Sequence, residues 1–117
     1  MSLDIYIRNK KKEEDWRWVA NITHNMNKMA QNIFVSESKE TLYSYVWRPD
    51  ELGREIDTTE MAKILTKGIY IMVSNRKKLL RYNPENGWGS YDSFLEFLIK
   101  YKETCEDNLG CEIKVSR

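Results

Sequence analysis

The ten residues from 82 to 91 constrain the fold more than any other stretch of the chain. They combine one proline, two glycines, two asparagines and three aromatic residues. Pro84 fixes its own φ and disfavours helix upstream, and Asn86-Gly87 supplies the positive φ of a tight turn. Trp88 lies between the two glycines, so its neighbours in the chain have no side chains that could cover the large indole. The stretch predicts a loop that either closes the core or forms the floor of a binding site.

Length and composition predict one globular domain spanning residues 1–117. The chain is 41% hydrophobic and 32% charged, which is typical of a folded domain. No apolar run reaches the ~20 residues of a membrane span, and the N-terminus shows no signal peptide. We therefore expect a cytoplasmic protein with no membrane partner.

Charge and cysteine content narrow the partner classes further. The formal net charge is +1, from 19 basic and 18 acidic residues, and this near-cancellation argues against a nucleic-acid partner. The charged stretch 9–15 is predicted to be a solvated loop without a net patch. Cys105 and Cys111 are too close in sequence for a favourable disulfide, so free thiols are expected.

Three stretches alternate apolar and polar residues, which predicts half-buried strands. They are 3–8, 16–22 and 111–116. The first two form an antiparallel hairpin across a short loop, and the last is expected to pair with the first. Trp16 and Trp18 share one face of the second strand and are predicted to lie in the core.

Apolar residues spaced three and four apart predict helices in the rest of the chain. Thr23 or Asn25 caps a helix that runs to Ile33. A short helix of 38–45 stops before Trp47-Arg48-Pro49. Two longer helices follow the capping residues Asp57 and Ser90 (or Gly89). The predicted core stripes are Met26, Met29, Ala30 and Ile33; Met61, Ile64, Leu65, Gly68, Ile71 and Met72; and Phe94, Phe97, Leu98, Tyr101 and Cys105. The predicted class is α+β, a small antiparallel sheet (N-terminal hairpin plus C-terminal strand) with about three helices packed on one face.

The candidate binding site joins the polar corner at 21–25 to the loops at 47–49 and 83–91. Both the corner and the second loop precede a helix and are rich in Asn, which offers donor and acceptor together. We expect them to lie side by side, as a cleft for a partner protein or a small polar ligand. The candidate residues are Asn21, Thr23, His24, Asn25, Trp47, Arg48, Asn83, Asn86 and Trp88.

The residue patterns favour binding over catalysis. His24 is the only histidine, and the cysteines are not spaced as zinc ligands, so we expect no metal site and no cofactor. Both cysteines fall on predicted buried faces, where thiols are inert. The primary prediction is a non-enzymatic binding or accessory module. The alternative is a small hydrolase or transferase with His24 as general base, acting in the same cleft. The sequence carries no signal for an oligomeric state.

Four segments stand in order along the chain: Asn-Ile-Thr-His-Asn at 21–25, Trp-Arg-Pro at 47–49, Asn-Pro-Glu-Asn-Gly-Trp-Gly-Ser-Tyr at 83–91 and Glu-Ile-Lys-Val-Ser-Arg at 112–117. Together they resemble a family of small uncharacterised proteins encoded by bacteriophages, prophages and their bacterial hosts. The resemblance spans nearly the whole chain and departs from the family pattern at 34–46. It implies a cytoplasmic, phage-associated protein and implies no reaction.

Overall fold

The computed structural model describes residues 1–12 and 15–117, so residues 13 and 14 of the predicted charged loop lie outside the described part. The stretch before them forms a 3₁₀ turn at Lys10–Lys12. The described strands and α-helices, in chain order, are β1 (Ser2–Arg8), β2 (Arg17–Thr23), α1 (Asn27–Ala30), α2 (Leu42–Trp47), α3 (Thr58–Ser74), α4 (Arg76–Leu79), α5 (Tyr91–Asp107) and β3 (Glu112–Ser116).

The three strands form one antiparallel sheet in the order β2-β1-β3. The alternation of β1 buries Leu3, Ile5 and Ile7 on one face, where exposure is at most 1%. On its other edge β1 pairs with β3, with Ile5 opposite Val115. This pairing confirms the predicted contact between the first and last strands, although β3 begins at residue 112 and not at 111.

A β-bulge in β2 overturns the prediction that Trp16 and Trp18 are core residues. Ile5 pairs with Ala20 but Tyr6 pairs with Trp18, which leaves Val19 as an extra residue. One extra residue breaks the alternation, so Trp18, which precedes the bulge, does not share the face of Ala20 and Ile22. Val19 is therefore buried, whereas Trp18 is 51% exposed and donates its indole N–H to Asp4 at 3.0 Å.

Trp16, just before the bulged strand, also lies outside the core. Its ring is half-buried under the guanidinium of Arg8, 4.3 Å from the ring centroid, and near the ammonium of Lys114 at 5.1 Å. These are cation–π contacts on the outer side of the sheet.

The two long helices follow the sequence prediction closely. Asp57 caps α3 by accepting from the backbone N–H of Glu60 at 2.9 Å, and Ser90 caps α5 in a reciprocal pair with Ser93. The predicted stripes are buried, with Ile71 only partly so. At Gly68 an added Cβ would lie 3.0 Å from Leu42 of α2, so the glycine allows the two helices to approach closely.

The region between β2 and α3 departs most from the prediction. The expected helix to Ile33 is a 3₁₀ turn at His24–Met26 followed by the single turn of α1, although its four predicted core residues are buried. Helix α2 is capped by Thr41 and runs to Trp47, so Trp47 belongs to a helix and not to a loop. With α4, the described residues form five α-helices, more than the expected three, and the α+β class is confirmed.

A run of aromatic rings ties α2 to α5 through the core. Trp47 stacks on Tyr43 at 5.6 Å between centroids and meets Phe94 at 5.9 Å. Phe97 and Tyr101 continue the run along α5 at spacings of 6.2 and 5.9 Å. Helix α5 in turn packs against α3 and β2. The residues just before α5 lie against the 23–26 corner, because an added Cβ at Gly89 would meet Thr23 and Met26.

Candidate functional site

The corner at 21–25 and the loop at 83–91 are in direct contact. The side-chain amide of Asn25 donates to the backbone carbonyl of Trp88 at 3.2 Å. At Gly89 an added Cβ would lie 2.6 Å from Cγ2 of Thr23, so the two segments touch with no room for a side chain. Thr23 also caps the 24–26 turn by accepting from the N–H of Asn25 at 3.3 Å.

The loop holds the backbone of Trp88 while leaving its indole in solvent. Asn86 accepts from the N–H of Trp88 at 2.9 Å, and Asn25 donates to its carbonyl, so both backbone groups are bonded. Asn83 fixes the far end of the loop by accepting from the N–H of Tyr91 at 2.7 Å. The side chain of Trp88 is nevertheless 72% exposed.

His24 is bonded to a core residue. Its Nδ1 accepts a hydrogen bond from the indole N–H of Trp47 at 3.1 Å. Trp47 is 2% exposed, so this bond satisfies a buried donor. An imidazole that accepts at Nδ1 carries its proton on Nε2, and the lone pair a general base would use is already engaged.

Asn21 and Arg48 do not join this site. Asn21 is exposed in a different cleft of about 220 Å³, beside Ser93 and Glu96 of α5. Arg48 donates to the hydroxyl of Tyr43 at 2.9 Å and pairs with Glu51, and these bonds raise its pKa above the ordinary value. The candidate residues that meet around the Trp88 loop are Thr23, Asn25, Asn83, Asn86 and Trp88, whereas His24 and Trp47 are bonded to each other.

A cleft of about 460 Å³ lies along the outer edge of β3. Its lining charges are balanced, and Arg117 pairs there with Asp50 through both terminal guanidinium nitrogens, at 2.7 and 3.1 Å. This pairing holds the pKa of the Asp50 carboxyl below its usual range. The lining residues are Trp16, Pro49, Asp50, Arg54, Glu55, Ile56, Glu112, Ile113, Lys114, Val115 and Arg117.

A second surface is locally basic, which the overall charge of +1 does not reveal. Residues 61–84 contain six Lys or Arg and no Asp or Glu. All six cations are exposed: Lys63 and Lys67 lie on α3, Arg76, Lys77 and Lys78 lie on α4, and Arg81 lies in the 3₁₀ turn Leu80–Tyr82 that follows. The exposed aromatic side chains of Phe34 and Tyr70 lie on the same side of the molecule, lining one cleft with Lys67. Counting charge in windows along the sequence would have revealed the basic run.

Within the described part of the chain, the structure adds no candidate residue for catalysis or for metal binding. Both cysteines are free and buried, and burial raises the pKa of the Cys105 thiol to about 12. Among residues 1–12 and 15–117, no three His, Cys, Asp or Glu side chains are grouped to hold a metal ion. No helix in the same described ranges is long and apolar enough to cross a membrane.

Comparisons with protein-family models, curated proteins and solved structures found no match to this chain. The resemblance of the four segments to phage and prophage proteins therefore stays a prediction.

Proposed function

We propose that this protein is a non-enzymatic binding or accessory module that engages its partner through the loop at 83–91 and the adjoining polar corner at 21–25. One observation carries the proposal. Trp88 is the large aromatic residue of the loop, its backbone is bonded on both sides, and its indole is 72% exposed.

An exposed tryptophan on a fixed backbone has the properties of a binding anchor. The indole supplies a large apolar area and an N–H donor, and tryptophan is enriched among the residues that dominate binding energy. Asn86 and Asn25 hold the loop in one conformation before binding, which reduces the entropy lost when a partner is bound. The amides of the same asparagines offer polar contacts around the ring.

The alternative, a small hydrolase or transferase with His24 as base, has less support. The Nδ1 of His24 accepts from Trp47, and His24 lines neither the cleft beside Asn21, nor the cleft along β3, nor the cleft that contains Phe34 and Tyr70. An ester or phosphoester hydrolysis activity that disappears in His24→Asn would favour this alternative.

The cellular setting of the proposal rests on the four-segment resemblance alone. It implies a module that acts in the cytoplasm of a bacterial host, in association with a phage or prophage. The partner is a protein or a small polar ligand.

The test compares wild-type protein with Trp88→Ala and Leu109→Ala as baits. Leu109 is a matched control because it is 62% exposed and lies outside the loop and the corner. Baits are incubated with lysates of host cells, with and without phage infection, and bound proteins and small molecules are quantified by mass spectrometry. We expect a bound set shared by wild type and Leu109→Ala and lost from Trp88→Ala. Identical profiles for all three baits would contradict the proposal.

Asn86→Ala tests whether the loop is held for binding. The bond that it removes is exposed, so water can replace it and the melting temperature should change little. Binding should weaken because the indole is no longer fixed. A large loss of stability would instead identify the loop as a structural cap.

A further inference from the structure

A second surface of the protein carries exposed apolar side chains with basic residues near them. Phe34 is 56% exposed, Tyr70 is 73% exposed and Val73 is 62% exposed. Tyr70 and Val73 are one turn apart on α3, on the exposed stripe that also carries Lys63, Lys67 and Thr66. Contiguous exposed apolar residues with a polar rim mark interaction sites.

Two clefts meet at this surface and share Phe34 and Ile71. The first has a volume of about 350 Å³ and is walled by apolar groups of Phe34, Val35, Tyr70 and Ile71, with Lys67 at its rim. The second has a volume of about 320 Å³ and ends at Lys78. Together they form a groove that begins beside α3 and continues to α4.

The groove is held open by bonded backbone. Phe34 forms an isolated β-bridge with Thr41, the N–H of Val35 donates to the carbonyl of Glu40 at 3.0 Å, and the N–H of Leu42 donates to the carbonyl of Ile33 at 2.7 Å. The segment that carries the Phe34 ring is therefore fixed against the start of α2. A fixed apolar wall is ready for a partner without reordering.

Both charged residues that line the two clefts, Lys67 and Lys78, are cations. Lys63, Lys67, Arg76, Lys77, Lys78 and Arg81 are exposed, and the ion pairs described for residues 1–12 and 15–117 include none of them. Residues 61–84 contain no carboxylate, and Glu37 and Glu40 of the Phe34 segment line neither cleft, so cations set the charge inside the groove although the whole chain carries only +1.

We infer that this groove binds an acidic amphipathic segment of a partner protein. Its apolar side chains occupy the cleft between Phe34 and Tyr70, and its carboxylates face the lysines of α3 and α4. An apolar face laid in a groove with charges on the rim is a common mode of peptide recognition. The inference concerns residues other than the Trp88 loop and does not depend on the proposed function.

The lining of the first cleft favours polypeptide over nucleic acid. The hydroxyl of Thr66 donates to the carbonyl of Ala62 at 2.7 Å, so it is already used within α3. A nucleobase in this cleft would lose hydrogen bonds to water without replacing them, whereas an aliphatic or aromatic side chain loses none. Cations alone would serve either class of partner.

The experiment selects peptides of roughly 15 residues, about four helical turns, from a random displayed library on the immobilised full-length protein. We expect the recovered peptides to be rich in Asp and Glu, with apolar residues three or four positions apart. A synthesised peptide from this set should bind about tenfold more weakly to Tyr70→Ser and to the double variant Lys63→Glu/Lys67→Glu. Binding to wild type should also weaken as salt is raised.

The control is Trp88→Ala, which should bind the same peptide as wild type does. This control separates the inference from the proposed function, because each predicts loss of binding in a different variant. Peptides without acidic enrichment, no recovered peptides, or equal binding to Tyr70→Ser would overturn the inference. Two other results would also overturn it. One is binding of oligothymidylate that the same α3 variants abolish, and the other is self-association of the protein that these variants abolish.

Discussion

At the scale of single residues, the bond between Trp47 and His24 decides how the polar corner behaves. His24→Ala would leave the buried indole N–H of Trp47 without an acceptor. An unsatisfied buried donor costs about 1–3 kcal/mol, so this variant should lower the free energy of unfolding by that amount. His24→Asn is the control, because its amide oxygen can accept near the position of Nδ1. Urea denaturation that showed equal stability for wild type and His24→Ala would contradict the assigned bond.

Tyr101 carries a buried hydroxyl for which no hydrogen-bond partner exists among the described residues. Burial also raises the pKa of Tyr101 well above its ordinary value. Tyr101→Phe should leave the free energy of unfolding unchanged or raise it by up to ~1 kcal/mol, since no bond is lost. Tyr91→Phe is the matched control, because the Tyr91 hydroxyl donates to the carbonyl of Met72 at 2.6 Å. That variant should lose about 1 kcal/mol, and a loss for Tyr101→Phe as well would show that its hydroxyl is bonded.

The two thiols should be slow to react in the folded protein. Cys105 and Cys111 are buried, and burial raises the pKa of Cys105 to about 12, so little of its thiolate form exists near pH 8. Reaction with a thiol reagent should be much faster after denaturation. Rapid labelling of either cysteine in native buffer would contradict this prediction and would reopen a nucleophilic role.

At the scale of elements, substitutions at Gly87 and Gly89 distinguish the cost of backbone strain from the cost of close packing. Both have positive φ, of 77° and 97°, but an added Cβ meets nothing within 4 Å at Gly87 and overlaps Thr23 at Gly89. Gly87→Ala should cost about 1–2 kcal/mol from backbone conformation alone. Gly89→Ala should cost about 1–3 kcal/mol more, because the loop must move away from the corner. Equal melting temperatures for the two variants would contradict the close contact.

The sequence predicted elements where one pattern dominated and failed where two patterns competed. The caps at Asp57 and Ser90 and the stripes of α3 and α5 are single, strong signals, and the structure bears them out. In β2 the series Trp16 to Ile22 alternates cleanly, but Val19 and Ala20 are both buried because of the bulge. A bulge is fixed by pairing with another strand, so alternation within one strand cannot reveal it.

At the scale of the whole molecule, contacts between distant segments were only partly predictable. The corner and the Trp88 loop were expected to meet because both precede helices, and Asn25 and Trp88 do meet. Thr58, by contrast, is fully buried, donates to the carbonyl of Asn108 and accepts from the N–H of Cys111 at 2.9 Å. No pattern near Thr58 in the sequence indicates that the start of α3 is hydrogen-bonded to the chain after α5. The partners of Thr58 are backbone atoms about fifty residues away.

Deletion of residues 111–117 should abolish cooperative folding of the domain. The deletion removes the ladder between β3 and β1, leaves the buried Thr58 hydroxyl without the N–H of Cys111, and exposes the edge of Ile5 and Ile7. Arg117→Ala is the control, because it keeps β3 and removes the tail contacts with Asp50, Glu51 and the carbonyl of Trp47. An exposed ion pair contributes under about 1 kcal/mol, so this variant should melt close to wild type. Differential scanning calorimetry of both proteins decides the matter: a truncated chain that kept a sharp heat-absorption peak would show that β3 is an attachment to a fold that is stable without it.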